Sequence, residues 1–334
     1  MVVIQSYPLA VTMCIVTMLC WGSWANTQKL ASKEWKFQLF YWDYCVGVVV
    51  LSLIAALTMG STGSVGRSFG ADLGQAAAAA IGFAFLGGVV FNLANILLVA
   101  AIDIAGMAVA FPIGIGIALV EGVIINYILK PAGNPVLLFI GVAGIAVAII
   151  LDALAYKRLT SGEQKTTGKG MAISVVAGIL MGLFYFLVQK GIATDFMDPE
   201  PGKMGPYAAV FIFSLGVFLS SFLWNTIVMT KPFTGDPVPF GDYFKKGNPR
   251  LHLIGILGGA IWGIGMSVNN VAAGTAGPAI SYGLGQGATM IAALWGVFIW
   301  KEFKAAPAGT NKLLGLMFAF YFVGLALVVA AKVV

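Results

Sequence analysis

Charged residues are scarce, only 10% of 334, where a soluble domain carries roughly 25%. That deficit excludes a soluble globule, a disordered chain and a nucleic-acid binder. Histidine occurs once, as His252, and cysteine three times, as Cys14, Cys20 and Cys45, each in or beside an apolar stretch. A histidine metal centre and a disulfide framework are therefore excluded; the thiols read as small buried hydrophobes and His252 as an interfacial residue. The sequence has no His-Glu-x-x-His, and no enzyme, metal or cofactor is expected.

Apolar residues dominate, at 60% hydrophobic and a mean hydropathy of +0.95. About 20 such residues cross a bilayer as a helix, and ten stretches qualify: 8–29, 38–59, 77–101, 104–129, 135–156, 170–193, 206–230, 252–273, 277–300 and 312–333. The chain is expected to be an all-α membrane protein with no room for a soluble domain. Of its nineteen Lys and Arg, fourteen fall in the connections after spans 1, 5, 7 and 9, from Lys29 to Lys312. Only Arg67, Lys130, Lys190, Lys203 and Lys332 belong to the opposite side. The positive-inside rule makes the richer side cytoplasmic and places both termini outside. Met1 to Pro8 carries no basic residue, so a cleaved signal peptide is not expected.

An internal repeat underlies the ten spans. Gly87, Gly88, Ala101, Ala105, Gly106, Gly114, Gly116 and Lys130 align without a gap on Gly258, Gly259, Ala272, Ala276, Gly277, Gly285, Gly287 and Lys301. The units read as 1–157 and 170–334, joined by a linker at 158–169. Five spans each force the copies into opposite orientation, the plan of many secondary transporters, whose solute site lies near the midplane between the units. Pro112 with Gly114 and Gly116 in span 4, and Pro278 with Gly283, Gly285 and Gly287 in span 9, are expected to interrupt both helices at matching places.

Three segments carry a family resemblance: Trp21-Gly22-Ser23-Trp24, Tyr41-Trp42-Asp43-Tyr44, and Gly122-x-x-Ile125-Asn126-Tyr127. They resemble the ureide permease family and its bacterial relatives. These lie within the drug/metabolite transporter superfamily, near the glucose/ribose porters and the rhamnose–proton symporter. The resemblance implies two inverted five-helix repeats, with spans 1 to 4 and 6 to 9 lining a cavity and spans 5 and 10 outside. It also implies proton-coupled uptake of compounds such as allantoin or uracil. Plant members carry a long central insert with a Walker A-like motif; here the glycine-rich stretch 161–170 is short and departs from the P-loop pattern, so no nucleotide is expected.

An ionisable group deep in a membrane is a functional candidate by default. Glu121, roughly 7 Å beyond the centre of span 4, is the leading proton-coupling residue, neutral among apolar groups and ionised in water. Asp43, at the mouth of span 2, is the second, expected to pair with a Lys of the first connection. Asp103 is expected to cap a helix, and Asp152 to meet Lys157 or Arg158. Amides suit an uncharged polar solute, which makes Asn92, Asn95, Asn269 and Gln286 candidate ligands. Trp21, Trp24, Trp262 and Tyr282 offer flat apolar walls for a sugar or a planar heterocycle; Trp42, Trp295 and Trp300 read as interface anchors. The sequence supports proton-driven uptake of a small neutral polar metabolite, a sugar such as ribose or a ureide or nucleobase, with export by proton antiport as the alternative and a channel as a third class.

Overall fold

A side chain at any position of these helices meets either lipid or another helix, so the helices are apolar on every side and their ends are set by local chemistry. The computed structural model describes residues 1–159 and 168–334; the linker expected at 158–169 and the glycine-rich stretch at 161–170 lie largely outside the described residues. Among the described residues ten helices are long and apolar enough to cross a membrane: span 1 (Tyr7–Ala31), span 2 (Phe37–Leu57), span 3 (Ala78–Ala105), span 4 (Val109–Leu129), span 5 (Pro135–Leu159), span 6 (Gly168–Gly191), span 7 (Pro206–Thr230), span 8 (Pro249–Ala276), span 9 (Pro278–Ile299) and span 10 (Thr310–Ala330). No strand occurs among the described residues. Short helices, Phe69–Gln75 and Gly241–Lys245, lie in the second and seventh connections.

Pro206, Pro249 and Pro278 open spans 7, 8 and 9, where a missing N–H costs nothing. The Asn248 side chain accepts from the Leu251 N–H at 3.0 Å to cap span 8. Gly106 and Gly277, matched in the repeat, turn the chain between spans 3 and 4 and spans 8 and 9 at φ +77° and +89°, a region glycine enters without steric cost. Asp103 caps neither helix, because Gly106 alone makes that turn.

The helix interruptions differ from expectation. Pro278 begins span 9, and that span breaks further on, at Gln286 and Gly287, before ending in a π turn at Trp295–Ile299. Span 4 runs unbroken through Pro112. Span 1 has a milder break at Trp24.

Span 3 packs on spans 6 and 7, span 8 on spans 1 and 2, span 4 on span 6, and span 1 on span 9. Exchanging each span for the one five places along preserves every one of these pairs. The closest approaches obey the same exchange. A Cβ on Gly88 would lie 2.0 Å from the Phe213 carbonyl oxygen, and one on Gly259 would lie 1.9 Å from that of Tyr44. Gly47 against Ile256 and Gly216 against Phe85 give 2.1 and 2.2 Å. Spans 5 and 10 pair through reciprocal contacts of Gly141 and Gly324 and otherwise pack mainly on spans 4 and 9.

Both termini lie on one face: the Val2 N–H donates to the Met59 carbonyl and the Asn134 N–H to that of Ala331. Arg67 there ion-pairs with Asp72 at 3.0 Å and donates to the carbonyls of Pro199 and Lys203. On the opposite, basic face, Lys29 pairs with Glu302 at 2.5 Å and Arg250 with Glu34 at 3.4 Å.

Candidate functional site

Seven aromatic rings from six spans form one continuous wall between the two halves of the chain. Trp21 of span 1 stacks on Trp262 of span 8, centroids 5.8 Å apart and planes at 14°. Trp262 meets Phe91 of span 3 at 4.4 Å and Phe213 of span 7 at 5.8 Å. Phe91 continues to Phe184 of span 6 at 5.0 Å, and Phe184 to Tyr282 of span 9 at 6.4 Å, with Tyr185 beside Tyr282 at 5.2 Å. Glycines make room for these rings. A Cβ on Gly265 would lie 2.6 Å, and one on Gly285 2.8 Å, from the Trp21 ring; one on Gly122 would lie 2.2 Å from Tyr282.

Asn269 is fully buried one small residue away from Trp21, since a Cβ on Gly285 would touch both. Its Nδ2 donates to the Ser281 carbonyl at 2.9 Å, while its Oδ1 is buried without a partner. A buried acceptor left unpaired costs roughly 1–3 kcal/mol, so a ligand N–H arriving there would recover that loss. Tyr282 contributes only its ring, because its hydroxyl is shared between the carbonyls of Ala118 and Met181 at 3.2 and 3.1 Å. Gln286 sits at the break in span 9, its backbone N–H on the Tyr282 carbonyl.

The other expected ligands form a second layer, about one helical turn along spans 1 and 3. Trp24 packs on Tyr44 at 4.8 Å, and Tyr44 stacks on Tyr41 at 5.3 Å. The Tyr41 hydroxyl donates to Asn92 Oδ1 at 2.8 Å and accepts from Asn95 Nδ2 at 3.2 Å. Asn92 Nδ2 is spent on the Val217 carbonyl and the hydroxyls of Ser220 and Ser221. Asn92 thus fastens spans 2, 3 and 7 together and has no spare amide for a solute. The Tyr44 hydroxyl is buried without a partner.

The two carboxyl candidates lie apart. Glu121 is half-buried against span 6, where a Cβ on Gly182 would be 3.1 Å from its Oε2. That places it behind Tyr282, whose hydroxyl reaches the neighbouring Met181 carbonyl. Asp43 is 2% exposed and does not meet a lysine of the first connection. The Tyr243 hydroxyl donates to its Oδ1 at 2.5 Å, and His252 Nδ1 lies 3.0 Å from both oxygens. Span 8 brings His252 inward onto Trp35, so the histidine is part of a clasp and not an interfacial bystander. The indole N–H groups of Trp295 and Trp300 donate to Ser23 and Asn26 at 2.9 and 2.6 Å.

Sequence reasoning missed Tyr41, Tyr44, Phe91, Phe184, Tyr185 and Phe213. Tyr41 and Tyr44, three apart and so on one helical face, were a usable signal; isolated Phe residues in apolar helices were not.

Ten apolar helices enclosing an aromatic wall define a multi-pass membrane protein. The ureide permease profile matches residues 40–169 and 153–331, and the chain belongs to that family. Ureide permease 1 and ureide permease 2 of Arabidopsis thaliana are 24% and 23% identical to it, each over 99% of both chains. Ureide permease 4 of the same plant is 22% identical over 99% of both chains. These relatives are named as permeases, not enzymes. A solved crystal structure shares the fold, with a TM-score of 0.60 at 15% identity over 98% of this chain and 99% of the other.

Proposed function

We propose that this protein takes up a small, neutral, ureide-class solute by proton-coupled alternating access, through two five-span units of opposite orientation at 1–157 and 170–334. The observation that carries the reading is the unpartnered Oδ1 of Asn269, whose Nδ2 end lies across Gly285 from Trp21, in a wall of rings to which no Lys or Arg side chain contributes among the described residues. A flat ureide or nucleobase stacks on the indoles with its ring face and satisfies the orphan acceptor with an N–H. A sugar such as ribose can also donate a hydroxyl to that oxygen, but its puckered ring covers the flat indole faces less fully than a planar heterocycle does. The absence of a cation from that wall suits a solute without a carboxylate or phosphate.

The inverted arrangement is supported by the glycine contacts, which recur under exchange of the halves. Exchanging the conformations of such units opens the site to alternate faces. The basic face is assigned to the cytoplasm and the termini to the outside of the plasma membrane, on the lysine asymmetry. Proton coupling is assigned to Glu121, because it lies behind Tyr282 and has no cationic partner among the described residues. Asp43 is the second titrating group, opening the basic face when Tyr243 and His252 let go.

Proteoliposomes preloaded with unlabelled allantoin test this by counterflow of labelled allantoin, with uracil and ribose as competitors. Allantoin or uracil should compete and ribose should not. An imposed inward proton gradient should drive accumulation, and Glu121→Gln should keep counterflow and lose accumulation. Expulsion under the gradient would establish antiport instead, and absence of flux for all three solutes would refute the substrate class.

A further inference from the structure

A second titrating assembly lies away from the aromatic wall, where the ends of spans 1, 5 and 9 meet on the basic face. Asp152 of span 5 is 6% exposed. Its Oδ1 is buried with no hydrogen-bond partner, and the expected ion pair to Lys157 or Arg158, on the last turn of the same span, is not among the salt bridges of the described residues. Tyr156 stands one turn along span 5, and Tyr321 of span 10 and Glu302 beyond span 9 lie within electrostatic reach. A carboxylate oxygen buried without a partner, with Glu302 within electrostatic reach, is costly to keep charged, and holding a proton removes that cost.

A chain of contacts runs from Tyr156, one turn along span 5 from this group, to the surface. Tyr156 donates to Glu302 Oε2 at 2.7 Å, and Lys29, from the end of span 1, holds Glu302 Oε1 at 2.5 Å. The backbone is shaped to allow it. Span 9 ends in the π turn Trp295–Ile299, and Lys301 follows at φ +53°, a conformation that costs a residue with a side chain on the order of 1 kcal/mol. Together they fold Glu302 back over Gly296, where a Cβ would lie 2.7 Å from the Tyr156 hydroxyl and 2.9 Å from Glu302 Oε2. Widened turns of this kind occur often at functional sites. Ser23, Asn26 and Lys29, all on one side of the end of span 1, grip Trp295, Trp300 and Glu302 in turn.

We propose that Asp152 is a proton-binding site, holding its proton as a neutral carboxylic acid in this conformation, and that the Lys29–Glu302–Tyr156 clasp controls access of water to it. One O–H bond forms on a carboxylate oxygen as a proton arrives from water, and the same bond breaks when the clasp opens and water solvates the anion. The site is separate from Glu121 and Asp43. Any role in driving solute rests on the transport reading above; the proton site itself does not.

Infrared difference spectroscopy of the purified full chain tests the assignment. The wild type should show the carbonyl band of a neutral carboxylic acid, and Asp152→Asn, which matches the neutral acid in shape, should lose that component. A spectrum unchanged by Asp152→Asn overturns the proposal. In heavy water the band should shift slowly in the wild type and severalfold faster in Glu302→Gln, which breaks the ion pair to Lys29. Equal exchange rates would overturn control by the clasp. In proteoliposomes Asp152→Asn should keep allantoin counterflow and lose part of the gradient-driven accumulation; accumulation equal to wild type would remove Asp152 from the coupling. Lack of allantoin flux in the wild type would instead count against the transport reading and leave the infrared result standing.

Discussion

Gly259→Ala is the sharpest test of how the two halves fit. A methyl there would lie 1.9 Å from the Tyr44 carbonyl oxygen and 2.8 Å from its carbon. The obstacle is helix backbone, so no rotamer change relieves it, and spans 2 and 8 must part by about 1.5 Å to restore ordinary contact. Gaps of that size forfeit much of the dispersion along an interface, and overpacking a well-packed site costs about 1–3 kcal/mol. The backbone clash places Gly259→Ala at the upper end, about 3 kcal/mol, or roughly a hundredfold in the folding equilibrium constant. Gly88→Ala should cost the same, since its methyl would lie 2.0 Å from the Phe213 carbonyl oxygen in the matched position. Gly82→Ala is the control: nothing lies within 4 Å of its Cβ, and alanine is the better helix former. Unfolding in detergent, followed by titration with a denaturing detergent and by size exclusion after heating, reads the difference. If Gly259→Ala and Gly88→Ala prove as stable as Gly82→Ala, the matched close approach is wrong.

Three further outcomes follow from named contacts. Tyr282→Phe should cost about 1 kcal/mol of stability and leave allantoin affinity unchanged, whereas Tyr282→Leu should weaken binding; equilibrium binding to the purified protein separates ring from hydroxyl. Asp43→Asn removes the anionic acceptor of Tyr243 and His252, a loss of roughly 1.5–3 kcal/mol for hydrogen bonds to a charge, and protease cleavage within 231–248 should become faster. Glu200 is raised somewhat by burial, but the Thr194 donors and the nearby Lys130 outweigh this and leave its carboxyl below the ordinary value of 4.5. Its contribution is therefore complete above that value and lost as pH falls through the folded one; labelling of a cysteine placed at 197 should rise in that acidic window and be pH-insensitive with Glu200→Gln.

The membrane class, the ten spans and the family were legible in the sequence because they depend on local length and composition. A helix must be about 20 apolar residues long to cross lipid whatever it touches, and the expected ends lie within a few residues of those in the structure. Glycine spacing likewise singled out Gly88 and Gly259, which both make close backbone approaches, and Gly106 and Gly277, which both turn the chain at positive φ. Polar partners were not legible. Asp43 was expected to meet a nearby lysine and instead meets His252, 209 positions away.

Asn92 and Asn269 show where that division falls. Both are amides in apolar helices, yet one is saturated by Tyr41 and span 7 while the other keeps a buried oxygen unpaired. A helix apolar on all sides carries no stripe to say which face turns inward. Its rotation is set by how neighbouring helices fit over their glycines. Partition between water and lipid therefore determined how many helices there are and where they end, and only the packing of those helices decided which side chains are spent on structure and which are left to bind.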